Sequence, residues 1–306
     1  MKGKMKGNIL LLITAVVWGI SFVAQSSGMD YVGPNTFIGI RTLLGGIVLL
    51  PVILVLDKEK KKNGTYKPVD LKKLLLYGLI CGLCLWAAST LQTYGLAEGI
   101  SAGESGFITA LYIIFVAVCG VFSGRKLSGK IICGVLLAML GMYFLCLFGN
   151  GFVFSRGHLI TLLCAVIFSV HILVIDKFSP QTDGVKLSCM QFFVAGILGC
   201  CVMFLLENPQ WDAIKQCWLE IGYAGIMSCG VAYTLQIVGQ KYTDPTSASM
   251  LMSLESVFSA ISGWILLGQS MTVFQISGCI LMFAAIVLVQ LPDKTAGLKY
   301  QANHTQ

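Results

Sequence analysis

Ten runs of apolar residues, each about 20 residues long, alternate with short polar stretches along the chain. They lie at 8–26, 35–56, 74–96, 102–122, 131–148, 158–175, 187–206, 218–239, 247–267 and 272–291. A run of that length crosses the hydrocarbon core as a helix. Lipid leaves its backbone groups no other partner than the helix itself. The pattern predicts an all-α integral membrane protein with ten transmembrane helices.

The runs also repeat. With Gly78 placed on Gly222, a constant offset sets Ala88, Thr90, Leu91, Gln92 and Gly95 on Ala232, Thr234, Leu235, Gln236 and Gly239. Further on, Gly124, Ile132, Gly134 and Leu137 fall on Gly268, Ile276, Gly278 and Leu281. At a slightly different offset, Leu12, Ala15 and Val16 match Leu162, Ala165 and Val166, and Gly46-Ile47 matches Gly196-Ile197. Five spans per half is an odd number, so the second half starts on the opposite side of the membrane. The expected organisation is two inverted five-helix repeats, 1–150 and 151–292, with a cytoplasmic tail at 293–306. Inverted repeats are a usual construction of secondary transporters.

Composition agrees with a membrane protein: 56% of the 306 residues are hydrophobic and 11% charged, about half the charge of a soluble domain. The net charge of +7 does not point to nucleic acid, because the basic residues sit in short loops rather than on one polar face. Their placement sets an orientation instead. One side carries Lys2, Lys4, Lys6, Lys58, Lys60–Lys62, Lys67, Lys72, Lys73, Arg125, Lys126, Lys130, Lys177, Lys186, Lys241, Lys294 and Lys299. The other carries Arg156 and Lys215. Both termini are therefore expected in the cytoplasm. The charged segment Asp57–Lys73 reads as a solvated cytoplasmic loop, with a lipid-headgroup or regulatory site as the alternative.

Several motifs carry no chemistry in this context. Most of the twelve cysteines lie in apolar runs, where they act as small hydrophobes. Cys81-Gly82-Leu83-Cys84 has CxxC spacing but no second ligand pair. The stretch from Gly124 to Ile131 nearly spells a phosphate-binding loop, yet it lacks the Ser/Thr that would hold magnesium, and no strand precedes it. Of three histidines only His171 is inside a span, so neither a metal nor a cofactor is expected. The first run follows three lysines like a signal peptide, but it matches an internal copy, so retention is expected.

The polar residues inside the spans remain. A charge at membrane depth needs a partner or a water-filled cavity. Glu255 lies a third of the way into span nine. It is either a proton-coupling carboxylate or a structural group bonded by Ser253, Ser256 or a broken helix end. Arg41, in the outer third of span two, either snorkels or pairs with a carboxylate such as Glu104, or it faces an anionic substrate group. Its copy in the second half is Gln191, so polarity is kept there while charge is lost. Gln92 and Gln236 occupy equivalent places, and Gln240 follows Gln236 by one turn. They serve as helix–helix glue or as substrate contacts. Trp18, Trp86 and Tyr233 are candidate cavity walls.

These residues carry a resemblance to the drug/metabolite transporter superfamily, in particular to EamA-type ten-helix permeases. Trp18-Gly19-Ile20-Ser21-Phe22 resembles that family's Trp-Gly-x-x-Phe, and Arg41 is similar to its span-two arginine. Residues 106–128 and 253–272 resemble the closes of the two halves. Ser256 stands where proline is common, which removes the expected cause of a kink in span nine. Gln269 and Arg125 stand where glutamate is common. The resemblance implies a carrier of the bacterial inner membrane for amino acids, related metabolites or drugs, often directed outward.

The expectation is a monomeric, non-enzymatic secondary carrier that binds a small molecule near the bilayer midplane and exports it, with proton coupling through Glu255. Facilitated uptake, a lipid-intermediate flippase and a non-transporting sensor or partner are the rival readings.

Overall fold

The computed structural model describes residues 2–122, 129–146, 155–267 and 272–290, and within them every regular element is helical. The helices are α1 (Lys2–Gly28), α2 (Pro34–Lys62), α3 (Leu71–Ala97), α4 (Ala102–Ala110), α5 (Tyr112–Phe122), α6 (Gly129–Cys146) and α7 (Arg156–Phe178). They continue with α8 (Gly184–Leu206), α9 (Trp211–Gln216), α10 (Trp218–Tyr223), α11 (Thr234–Gln240), α12 (Pro245–Met252), α13 (Glu255–Leu267) and α14 (Val273–Gln290). A π-helical stretch, Ala224–Tyr233, joins α10 to α11.

Eight continuous or nearly continuous helical runs among the described residues are long and apolar enough to cross a membrane. Two further apolar stretches, Gly129–Gly141 in α6 and Ile276–Val289 in α14, are shorter. Large apolar side chains such as Leu54, Phe122, Phe204 and Leu205 stand exposed around the bundle, as a lipid-facing surface requires. Trp211 and Trp218 lie exposed near one end, the usual level of interfacial aromatics. The tail 293–306, Arg125, Lys126, Gly124, Gly268 and Gln269 fall outside the described residues.

Local chemistry sets the helix starts. The Asp70 carboxylate accepts from the backbone N–H groups of Lys72 and Lys73, and Asp244 accepts from Ser247 just before Pro245. Ser101 and Glu104 close a reciprocal capping box at α4. Gly99, at φ +86°, supplies the left-handed residue that turns the chain from α3 towards α4.

The packing pairs helices from the two parts of the chain. α2 lies along α8, and α6 along α14. α3 packs on α7, as α1 packs on α11 and the π-helical stretch. α1 also meets α13, as α7 meets α4 and α5. Small residues allow the closest approaches. A Cβ on Gly95 would lie 3.2 Å from the Gly157 carbonyl, and one on Gly157 would lie 3.1 Å from the Gly95 carbonyl. The pair Gly7 and Gly239 makes the same reciprocal contact, at 2.9 and 3.2 Å.

Two sequence expectations change here. First, Asp57–Lys73 is not all loop, because α2 continues to Lys62. Ion pairs hold its last turns against α8: Lys60 to Asp183 at 2.6 Å and Lys186 to Asp57 at 2.7 Å. Second, span nine breaks without a proline, between Met252 and Glu255. The hydroxyls of Ser249, Ser253 and Ser256 each donate to the carbonyl three residues back, and such back-bonding competes with the helical ladder. The N–H groups of Leu254 and Ser256 also take the carbonyl three residues back, which tightens the turn. Span four breaks similarly at Leu111, whose N–H bonds the Ile108 carbonyl.

Candidate functional site

The two breaks face a cavity in the interior of the bundle. Its lining includes Trp18, Ser21, Phe22 and Gln25 of α1, Arg41 of α2, Gln92 of α3, Thr109 and Tyr112 beside the first break, and Phe168 of α7. Ser228 and Tyr233 of the π-helical stretch and Glu255 at the second break complete it. It contains about 340 Å³ of empty space, including its open mouth. Arg41 lies about two turns inside α2. Glu255 opens the first turn of α13, at the interrupted middle of its span.

The polar groups of this cavity are poorly satisfied by the protein. Trp18 Nε1, Ser21 Oγ, Gln25 Oε1, Arg41 Nε, the Tyr112 hydroxyl and Glu255 Oε1 are all buried without a hydrogen-bond partner in the protein. Arg41 is 2% exposed and Glu255 is 3% exposed. The Arg41 guanidinium has the Phe37 ring 5.5 Å away and no ion pair among the described residues. Glu104 does not reach it, because that carboxylate bonds Ser101 and approaches His158. Ser253 and Ser256 do not bond Glu255 either, since their hydroxyls are committed to backbone carbonyls. Buried polar atoms left unpaired cost on the order of 1–3 kcal/mol each, more when charged. Six of them around one cavity mark a place where water or a solute completes the bonding.

The walls are firmer than the polar tips. Gln92 Nε2 donates to Thr109 Oγ1 at 3.1 Å, which fixes the amide. The rings of Trp18 and Tyr233 stand 4.6 Å apart, tilted by 58°. Phe192 and His171 meet Tyr233 edge-on at 5.8 and 6.2 Å. Such contacts lock an aromatic wall in place.

Of the residues singled out from sequence, Trp18, Arg41, Gln92, Tyr233 and Glu255 come together here. Trp86, Gln191, Gln236 and Gln240 do not line the cavity. Gln191 bonds His171 Nε2 at 3.1 Å, one layer behind Tyr233. Gln240 Nε2 donates to the Ile172 carbonyl at 3.2 Å and ties α11 to α7. Gln236 and Trp86 are inward-facing, each with a buried polar atom lacking a partner. Sequence reading missed Ser21, Phe22, Gln25, Thr109, Tyr112, Phe168 and Ser228 as lining residues. A signal existed for two of them: Trp18, Ser21 and Gln25 follow helical spacing on one face of α1.

The family's sequence pattern decides the class. A profile of the EamA-like transporter family matches residues 5–147 and 155–291. The chain belongs to that family. It is 26% identical over 294 residues to an uncharacterized transporter of Archaeoglobus fulgidus, covering 94% of this chain and 87% of that one. It is 25% identical over 300 residues to a probable amino-acid metabolite efflux pump of Salmonella typhimurium, covering 92% and 94%. A solved crystal structure superposes with a TM-score of 0.73 at 19% identity, over 92% of this chain and 95% of the other. The protein is thus a multi-pass membrane transporter of the EamA type. The family and these relatives are transporters, not enzymes.

Proposed function

We propose that this EamA-like protein exports a zwitterionic metabolite of the amino-acid class by alternating access, across a bacterial inner membrane with both termini in the cytoplasm. The single observation that carries the reading is a pair of buried charges on the wall of one interior cavity, Arg41 and Glu255, neither of which has an ion-pair partner among the described residues; Glu255 meets only the neutral Tyr112 hydroxyl. A cation held without a counterion favours a carboxylate guest. A carboxylate across the same cavity accommodates an ammonium or a proton. Outward direction rests on the Salmonella relative, whose name is that of an efflux pump.

Two inverted five-helix repeats, 1–150 and 151–292, are the proposed machinery, with α6 and α14 as the fifth and tenth spans. The paired contacts support this. Sequence alignment sets Gly7 on Gly157 and Gly95 on Gly239, and those glycines make reciprocal contacts in swapped combination. The helix breaks at Leu111 and at Ser253–Leu254 fall at nearly corresponding places. Discontinuous helices at a repeat interface are the usual setting for a substrate site. Each repeat contributes to the cavity wall, and one chain holds all of it, so a monomer suffices. Proton coupling is assigned to Glu255; facilitated passage is the alternative if that carboxylate does not titrate.

Counterflow into proteoliposomes, screened over amino acids, nucleobases and cationic drugs, tests the proposal. Amino acids are expected to exchange, and amines lacking a carboxylate are not. Arg41→Gln should slow exchange by roughly 10- to 100-fold, the loss of one charge-assisted contact. Wild-type exchange by this variant would remove Arg41 from the site.

A further inference from the structure

A second, larger crevice lies at the lysine-rich end of the bundle, outside the transport cavity. It contains about 1,010 Å³ of empty space, including open solvent, between the end of α2, the 63–70 loop, the start of α3, and the start of α8. Five lysines line it: Lys60, Lys67, Lys73, Lys186 and Lys241. Its three aspartates are already committed. Asp57 pairs with Lys186 and Asp183 with Lys60. Asp70 accepts from the backbone N–H groups of Lys72 and Lys73 as the cap of α3.

That leaves Lys67 and Lys73 without a carboxylate among the described residues, and Lys241 with only the Asp183 carboxylate that Lys60 already pairs. Lys241 Nζ donates only to the Thr182 carbonyl, at 2.9 Å. Lys67 and Lys73 make no side-chain bond or ion pair among the described residues. Five lysines against three aspartates thus leave the crevice with two positive charges in excess.

The neighbouring surface is apolar. Leu54 and Val55, about one turn before Asp57 and Lys58 on α2, are exposed, as are Leu71, Leu75 and Leu76 on α3. Acyl chains can lie against these side chains while a phosphate sits among the lysines. A free anion would have no use for the apolar flank.

We propose that this crevice binds the phosphate-bearing headgroup of an anionic lipid, through Lys67, Lys73 and Lys241. Basic pockets at the cytoplasmic ends of membrane helices attract such headgroups. The site bridges α2 and α3 on one side and α8 on the other, so an occupied headgroup tethers segments from both halves of the chain. The proposal does not depend on which substrate the central cavity takes.

The test uses the full chain, purified in detergent and titrated with cardiolipin, phosphatidylglycerol or phosphatidylcholine, with bound lipid counted by native mass spectrometry. The wild type should retain the two anionic lipids and not phosphatidylcholine. The triple variant Lys67→Gln/Lys73→Gln/Lys241→Gln should bind them about a hundredfold more weakly, at roughly a factor of five per lysine. All three side chains are exposed, so the fold should persist. The control variant Lys4→Gln/Lys58→Gln/Lys62→Gln removes the same charge outside the crevice and should keep wild-type retention. Equal retention by the wild type and the crevice variant, or equal losses in both variants, would overturn the site. Displacement of cardiolipin by millimolar inorganic phosphate would overturn the lipid assignment in favour of a free anion.

Discussion

At the two ends of the α2–α8 pair, the acidic groups have partners. Glu207, which follows α8, accepts from the backbone N–H and side chain of both Asn35 and Thr36, at 2.6 to 2.9 Å, and so caps the start of α2. At the other end Asp183 caps α8 and pairs with Lys60, while Asp57 pairs with Lys186. In the cavity between these ends, Arg41 and Glu255 make no ion pair among the described residues, and Glu255 meets the neutral Tyr112 hydroxyl instead. The same residue types therefore do opposite work. Where charges are matched they fasten two helices, and where they are unmatched and enclosed the proposed function has them receive a guest. A matched set should respond to substitution in stability, and an unmatched set in transport.

The largest expected effect falls on Glu255. Under the proposed proton coupling, Glu255→Gln should abolish gradient-driven accumulation and spare substrate exchange without a gradient. The amide keeps the size of the side chain and removes its titration. The Tyr112 hydroxyl interacts with the Glu255 carboxylate, and the amide can still accept from it, so thermal stability in detergent should hardly change. Accumulation at wild-type levels would make Glu255 structural and the protein a facilitator.

That contrast between matched and unmatched charges was only half legible in the sequence. The helical class and most span positions could be read because apolar length alone sets them. Arg41 and Glu255 stood out because charges inside spans are rare. Their lack of partners was not readable, since Glu104 lies at a plausible depth but is consumed by its own helix cap. The break in span nine was hidden for a similar reason. Sequence habits tie kinks to proline, whereas here serine back-bonding interrupts the ladder. Gln236 and Gln92 look equivalent in the chain, yet only Gln92 reaches the cavity. Repeats preserve backbone positions more faithfully than the chemistry of what each position faces.

The next effect is at the matched end nearest Arg41. Glu207→Ala should destabilise the protein by about 2–4 kcal/mol, because it strips several charge-assisted bonds from the first turn of α2. The expected readout is a lower midpoint of thermal unfolding in detergent. Glu207→Gln keeps part of the acceptor capacity and should lie between. The helix start it holds also positions Arg41 two turns later, so exchange should fall mainly through a higher KM. If Glu207→Ala left stability untouched while removing transport, the division between fastening and waiting charges would fail.

Asp183 gives the smallest and most specific effect. Partial burial pushes its carboxyl upward, but the Lys60 ammonium and the backbone N–H groups of Lys186 and Val185 outweigh that and hold it below the ordinary carboxylate value. A depressed folded-state pKa means that the group's contribution is fully present above the unfolded value, near 4, and is lost as pH falls through the folded value. The wild type should therefore lose stability below about pH 4 through this group. Asp183→Asn keeps an acceptor for the helix cap and removes the charge. It should cost roughly 1 kcal/mol near neutral pH, since the pair is partly exposed and screened. The difference from wild type should shrink towards zero at pH 3, where the aspartate is increasingly protonated. Exchange of substrate at neutral pH should stay within about twofold, because the pair lies at the end of the bundle remote from the cavity wall. A gap between the two proteins that persists unchanged to pH 3 would mean that Asp183 acts through shape rather than charge, and the matched end would then owe its strength to the Asp57–Lys186 pair.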